Sequence, residues 1–138
     1  MNRETTISLK NDVKELGRLA EFFEQLGESW FLAPDIIMTV NLSLEEAVSN
    51  IIFYAWSDSK EHLIDLKIKY YEKALTIILS DDGKPFDPTT REEPDINLPI
   101  EERPIGGLGI HLIKRLMDGI TYTRKEDKNQ LTLIKNIK

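Results

Sequence analysis

Between Leu63 and Leu79 the chain alternates apolar and polar residues on both sides of a two-residue break. Ile64, Leu66, Ile68 and Tyr70 fall on one face of an extended segment, and Asp65, Lys67 and Lys69 on the other. Glu72-Lys73 leaves room for a tight connection before Leu75, Ile77 and Leu79 resume the pattern. A hairpin with one apolar and one charged face belongs to a sheet covered by helices on one side and partly solvated on the other.

The flanking segments supply those helices. Thr5-Thr6-Ile7-Ser8-Leu9 alternates and reads as a first strand. Asn11 or Asp12 is placed to cap a helix through about Leu26, with Val13, Leu16, Leu19, Phe23 and Leu26 at helical spacing and Gly27 at its end. Pro34 suits the first turn of a second helix. There Ile36, Val40, Leu44, Ala47, Ile51 and Ala55 repeat to about Ala55 or Trp56, with a bend or break near Asn41 left open. A third helix is expected over Gly107–Met117, with Ile110, Ile113 and Met117 on one face. Ile120 and Tyr122 then pair with Leu131 and Leu133 in a second hairpin turning near Asp127-Lys128-Asn129. Residues 81–106 carry Pro85, Pro88, Pro94, Pro99 and Pro104 and read as a long functional loop.

At 138 residues one domain, 1–138, with its own core is expected. Charged residues at 30% beside 41% hydrophobic ones argue against global disorder. The net charge of −6 gives nucleic-acid binding no support. No apolar run approaches membrane-spanning length, and Met1-Asn2-Arg3-Glu4 leads into no signal-peptide core, so a cytoplasmic protein without direct membrane contact is expected. Without cysteine there are no disulfides or thiolate metal sites, and His62 and His111 alone make no histidine metal site.

Three separated signals carry chemistry. Glu46 and Asn50 are four residues apart and stack on one face of a mostly apolar helix. A carboxylate and an amide there need partners. Magnesium suits an Asn carbonyl, and a carboxylate one turn away can orient or deprotonate a hydroxyl. Standing alone, the pair reads as a solvated stripe beside Glu45 and Ser49. Asp81-Asp82-Gly83 ends a strand, where Asp81 could accept a hydrogen bond from adenine's amino group. Gly83 permits close approach or positive φ, and Pro85-Phe86 could add apolar wall. Standing alone, this is an ordinary Asp-Gly turn. Gly106-Gly107-Leu108-Gly109 opens a helix whose free N–H groups could bind phosphate, or serves as a hinge. Arg103 in the loop is a candidate phosphate contact, whereas Lys114 and Arg115 read as solvated helix surface. Trp30, Phe31 and Trp56 read as packing groups, with one of them free to mark a partner surface.

Taken in order, the motifs resemble those of the Bergerat-fold ATPase superfamily, and within it the anti-sigma-factor serine kinases of bacterial partner-switching systems. Glu46-Ala47-Val48-Ser49-Asn50 is similar to the family's N box, and Asp81-Asp82-Gly83-Lys84-Pro85-Phe86-Asp87-Pro88 to its Asp-x-Gly-x-Pro-Phe-Asp-Pro box. Gly107-Leu108-Gly109-Ile110 resembles its second glycine box, and Asn129–Lys135 its last strand. The resemblance implies an α/β (α+β) two-layer sandwich, a mixed, mainly antiparallel sheet with helices on one face. It implies ATP and Mg2+ as ligands, Glu46 as general base, Asn50 as magnesium ligand and Asp81 as adenine reader. Gly83 would support the adenine site, Gly107 and Gly109 would contact phosphate and hinge a lid over 87–106, and Thr132 would lie near the adenine. The implied partners are a STAS-domain anti-anti-sigma protein and a sigma factor sequestered by a kinase homodimer. One departure is Tyr54, where family members often carry His.

These readings favour an ATP-dependent protein serine/threonine kinase that is also a binding switch. The alternatives are a non-catalytic nucleotide-responsive module and a small structural protein with coincidental motifs.

Overall fold

The computed structural model describes residues 2–90 and 107–137. β1 (Arg3–Lys10) leads into α1 (Glu15–Ser29) and α2 (Pro34–Tyr54). β2 (Leu63–Tyr71) and β3 (Ala74–Asp81) follow, then a 3-10 turn at Pro88–Thr90, α3 (Gly107–Leu116), β4 (Gly119–Lys125) and β5 (Lys128–Asn136). The strands form one sheet in the order β1-β2-β3-β5-β4. Among the described residues every pairing is antiparallel, so the sheet is not mixed.

Alternation places the core. Ile64, Leu66 and Ile68 from β2, Leu75, Ile77 and Leu79 from β3, and Leu131 and Leu133 from β5 are buried on one face. The helices cover that face with Leu19 and Phe23 from α1, Val40, Leu44 and Val48 from α2, and Ile110 and Ile113 from α3. The expected layers therefore form. Both hairpins turn through two residues of positive φ: Glu72 (51°) with Lys73 (63°), and Glu126 (54°) with Asp127 (62°). This left-handed pair matches the twist of the flanking strands. The second turn comes one residue earlier than expected, and Lys128 and Asn129 already belong to β5.

Helix α1 departs from expectation at both ends. Asp12 spends its carboxylate on the Lys14 amide at 2.9 Å, an Asx turn, so the helix begins only at Glu15. Asn11 instead bridges to the segment before β2, accepting from the His62 amide and donating to the Lys60 carbonyl. Gly27 does not end α1; it is buried inside it, where an added Cβ would meet Ile37 Cγ1 of α2 at 2.7 Å. Its role is close helix packing. The stop lies at Phe31, with φ 55°. The Leu32 amide bonds the Gly27 carbonyl at 2.9 Å and the Phe31 amide reaches the Glu28 carbonyl at 3.4 Å, which is the Schellman pattern. A side chain in this left-handed position costs about 1 kcal/mol, and Phe31 is 86% exposed, so it is not the expected packing group. Trp30 does pack, edge-on to Tyr70.

Pro34 occupies the first turn of α2, which runs without a break past Asn41. By length and composition alone α2 is long and apolar enough to cross a membrane, with an 18-residue window of mean hydropathy 1.3, a property that core helices share. Its buried stripe, including Val40, Leu44 and Val48, packs into the core beneath the sheet.

Candidate functional site

Asp81 is built by the strand that ends in it. Leu75, Ile77 and Leu79 point to the helices, and two residues on, the same alternation aims a carboxylate there. Asp81 is 5% exposed. Its Oδ1 accepts from the Gly83 amide at 2.9 Å and from Asn129 Nδ2 at 3.0 Å. Among the described residues Oδ2 accepts nothing. Burial raises the Asp81 pKa above the ordinary carboxylate value; the Asn129 and Gly83 hydrogen bonds oppose the rise, and nearby Asp82 adds to it.

Asn129 organises this corner, and nothing in the sequence reading singled it out. It lies opposite Asp81 in the β3–β5 register. Its Nδ2 also donates to the Lys84 carbonyl at 2.9 Å, and its Oδ1 accepts from the Phe86 amide at 3.4 Å and from the Tyr122 hydroxyl. The available signal was parity: Asn129 shares a face with Leu131 and Leu133.

Beside Asp81 lies a small recess that opens to solvent. Ala47, Asn50 and Ile51 of α2, Phe86 and Pro88 of the following loop, Ile110 and Ile113 of α3, and Tyr122 and Leu131 of the sheet enclose it. It is an apolar slot with a few convergent polar groups, as small-molecule sites usually are. Gly83 lets the loop close against α2: a Cβ there would sit 2.5 Å from both Cβ and O of Ala55. The Lys84 amide donates to the Ala55 carbonyl at 2.8 Å, and Arg124 Nη1 donates to the Gly83 carbonyl at 2.7 Å. Of the two roles open to Gly83, the structure assigns close approach, to protein backbone. Asp87 accepts from the Thr89 amide at 2.8 Å and so shapes the Pro88–Thr90 turn. Lys114 is not free helix surface: Nζ donates to the Thr89 carbonyl at 3.0 Å and ties α3 to that turn.

Of the expected site residues, Asn50 and Asp81 both line the recess. Glu46 stands one turn earlier on α2, half-buried, outside the lining. Neither Glu46 nor Asn50 has a hydrogen-bond partner among the described residues, which leaves both donor sets open to a ligand. Gly107 and Gly109 lie in the first turn of α3. Two expectations are corrected. Pro85 is exposed and gives no wall; Phe86 and Pro88 do. Thr132 alternates with buried Leu131 and Leu133 and so faces away from the recess. Tyr54 stacks on Phe86 with ring centroids 6.5 Å apart. Arg103, and residues 91–106 of the expected lid, lie outside the described residues.

Comparison with known proteins gives this geometry a context. The family profile of the histidine kinase-like ATPase domain matches residues 9–135. The chain is 27% identical over 95 residues to the serine/threonine-protein kinase BtrW of Bordetella bronchiseptica, covering 69% of this chain and 67% of that protein. It is 35% identical over 100 residues to the serine-protein kinase RsbW of Bacillus cereus, covering 68% and 61%. To the RsbW of Listeria monocytogenes it is 29% identical over 126 residues, covering 87% and 79%. The chain thus spans about three fifths of the length of the Bacillus relative. Among solved structures, the histidine kinase domain of the Erythrobacter litoralis blue-light activated histidine kinase matches with a TM-score of 0.55 at 15% identity, covering 91% of this chain and 60% of that one. That likeness is one of fold.

Proposed function

Because this chain belongs to the histidine kinase-like ATPase family, we propose that it is an ATP-dependent serine/threonine protein kinase of the anti-sigma type. Its substrate is a hydroxyl on a STAS-domain antagonist, and its other partner is a sigma factor that it sequesters as a cytoplasmic homodimer. The observation that carries the reading is Asp81, a buried carboxylate with one oxygen held by Gly83 and Asn129 and the other open at an apolar recess. That oxygen suits the exocyclic amino group of adenine, and Phe86, Ile110 and Ile113 suit the faces and edges of the base.

The remaining parts follow from position. Asn50 lines the same recess with a side-chain carbonyl that has no partner among the described residues, a fitting ligand for magnesium. Magnesium there would neutralise charge on the phosphates. The backbone N–H groups at Gly107 and Gly109, in the first turn of α3, face the same task. Glu46 takes the proton of the partner's hydroxyl. The hydroxyl oxygen bonds the γ-phosphorus as the bond to the bridging oxygen breaks and ADP leaves. The product carries about −1.5 to −2 added charges, enough to disrupt an interface by repulsion and desolvation.

Calorimetric titration with Mg-ATP tests the site. Saturable binding by the wild type and none by Asp81→Asn is the expected result; no binding by a well-folded wild type ends the reading. A second reading, a nucleotide-responsive module without phosphoryl transfer, draws on Glu46 standing outside the recess lining and on Tyr54 stacked against Phe86. Glu46→Gln separates them. If it binds ATP but no longer phosphorylates a partner that the wild type does phosphorylate, the chain is a kinase. Binding without transfer to any cognate partner, in wild type and variant alike, favours the module.

A further inference from the structure

The connection between α2 and β2 carries a polar cluster outside the recess lining. Its centre is His62, whose side chain is 19% exposed. The Trp56 indole lies flat on the imidazole, with ring centroids 4.5 Å apart and planes within 2°. A carboxylate faces each ring nitrogen: Asp58 Oδ1 is 2.7 Å from Nε2, and Asp82 Oδ1 is 3.9 Å from Nδ1. The same Asp82 oxygen accepts from Trp56 Nε1 at 3.0 Å. The His62 backbone is pinned to Asn11, its amide donating to Oδ1 at 2.9 Å and its carbonyl accepting from the Asn11 amide at 3.1 Å.

Asp82 connects this cluster to the nucleotide corner. It stands between Asp81 and Gly83, and Trp56 follows Ala55, on which Gly83 closes. The corner is thus tied to the end of α2 through its backbone, by the Lys84 amide on the Ala55 carbonyl, and through the Asp82 side chain, by Trp56 and His62. The side-chain tie depends on a proton. A neutral imidazole has one N–H and an imidazolium has two, while a carboxylate only accepts. Only the protonated ring can serve Asp58 and Asp82 together, and its charge strengthens the stack on the indole face. Hydrogen bonds with His62 and with the Lys60 amide hold the Asp58 carboxyl below its usual value, and the Lys60 charge adds to this. Glu61, Asp65, Asp81 and Lys128 share an open pocket with His62 and Asp82. Of these, Glu61 pairs with Lys10 at 3.5 Å and Asp65 accepts from the Ser8 hydroxyl.

We infer that His62 is a positioning residue that latches the Asp81–Gly83 corner to α2 when its ring is protonated and releases that side-chain tie when it is neutral. It acts through Asp82 and touches no reacting group. The latch works between about pH 5 and 8, where an imidazole changes charge. Its consequence for nucleotide rests on the function proposed above: ATP binds more tightly to the latched corner.

Fluorescence reads the proton. An imidazolium stacked on an indole quenches its emission, so wild-type emission is expected to fall reversibly in one step between about pH 8 and 5. His62→Gln is expected to lack the step, with Trp30, packed on Tyr70, as a constant background. Hydrogen exchange of the Lys84 amide reads the corner. Its protection, corrected for the intrinsic rate, is expected to rise about threefold in the wild type from about pH 8 to pH 6. It is expected to stay level in His62→Gln and in Asp82→Asn, which keeps an oxygen for Trp56 but loses the charge. The latch is open in all three proteins at the upper pH, so a fold defect shows there and not in the pH dependence. No step in the wild type, a step shared by His62→Gln, or the same pH dependence of Lys84 protection in all three overturns the inference. Calorimetry with Mg-ATP reads the consequence. The ratio of wild-type to His62→Gln affinity is expected to be about threefold larger at about pH 6 than at pH 8. The ratio cancels the protonation of ATP and the shared titration of Asp81. An equal ratio, with both proteins binding, overturns the coupling to nucleotide. No binding by the wild type at either pH ends the proposed function instead, and fluorescence and exchange then decide the latch by themselves.

Discussion

The β2–β3 and β4–β5 hairpins are built alike and used differently. Each turns through two non-glycine residues of positive φ, and each presents alternate residues to the helices. In the first hairpin every inward residue from Ile64 to Ile68 and from Leu75 to Leu79 is apolar. In the second, the inward face changes character toward the turn, from Leu133 and Leu131 to Asn129, with Tyr122 beside it on β4. Asp81 ends β3 opposite Asn129, so the polar corner forms where the two hairpins meet. The first hairpin is a wall, and the second is a wall with a site at one end. A local break in a consistent binary pattern marks function better than the pattern itself.

The largest test of that contrast is Asp81→Asn. The amide oxygen still accepts from Gly83 and Asn129, so the corner stays closed. The open oxygen, however, becomes an NH2 group facing the amino group of adenine, and ATP affinity is expected to fall by about 100-fold or more. Stability should move the other way. The folded pKa of Asp81 is raised by burial, so its native state binds the proton more tightly than the unfolded chain. The wild type therefore gains relative stability below the unfolded Asp value and loses it as pH rises through the raised folded value. The variant does not titrate there. Thermal melts across pH are expected to show it at least as stable as wild type near neutrality, with the advantage shrinking toward acid. A variant unfolded at pH 7 would mean that the carboxylate is structural.

Gly83→Ala attacks the same corner through the backbone. The new Cβ would lie 2.5 Å from the Ala55 carbonyl oxygen, and backbone cannot swing aside as a side chain does. The loop must lift off α2 and strain the Lys84–Ala55 bond. A loss of about 2–3 kcal/mol is expected, read as a drop in denaturation midpoint together with weaker ATP binding. Gly27→Ala offers a control: its Cβ would meet Ile37 Cγ1, a side-chain and not a backbone atom, at 2.7 Å, and the same measurement should show a smaller loss.

What could be read in advance follows the range of the interactions. The β2–β3 hairpin was legible because strict alternation and a two-residue gap are local. Asn50 and Asp81 were legible because each sits in a short recognisable motif. Asn129 was not, since its importance comes from pairing with a residue 48 positions away. Thr132, which the resemblance implies near the adenine, has the opposite parity and faces the other side of the sheet. The ends of α1 failed for a local reason. Asp12 and Gly27 carry the residue types of a cap and a stop, but side-chain competition and helix packing claim them, while Phe31 ends the helix with no sequence signal.

A smaller effect compares the inward tyrosines. The Tyr122 hydroxyl donates to Asn129, whereas that of Tyr70 has no hydrogen bond among the described residues and its ring only packs on Trp30. Tyr122→Phe is expected to cost about 1 kcal/mol and to lower ATP affinity severalfold by loosening Asn129. Tyr70→Phe should stay within about 0.5 kcal/mol of wild type and leave affinity unchanged. Equal responses in denaturation and calorimetry would erase the distinction between the hairpins.

The smallest effect should be the same in both. Replacing Glu72-Lys73 or Glu126-Asp127 by Asn-Gly gives each turn residues that accept positive φ. Each replacement is expected to stabilise by about 0.5–1 kcal/mol, seen as a few degrees in Tm. The Glu126-Asp127 turn adjoins Arg124, which bonds the Gly83 carbonyl, and Asn129, which bonds Asp81. If the polar corner is held by its own side chains, both replacements leave ATP binding untouched. If only the β4–β5 replacement alters it, the turn sets the reach of Arg124 and Asn129, and the site extends to the tip of the hairpin.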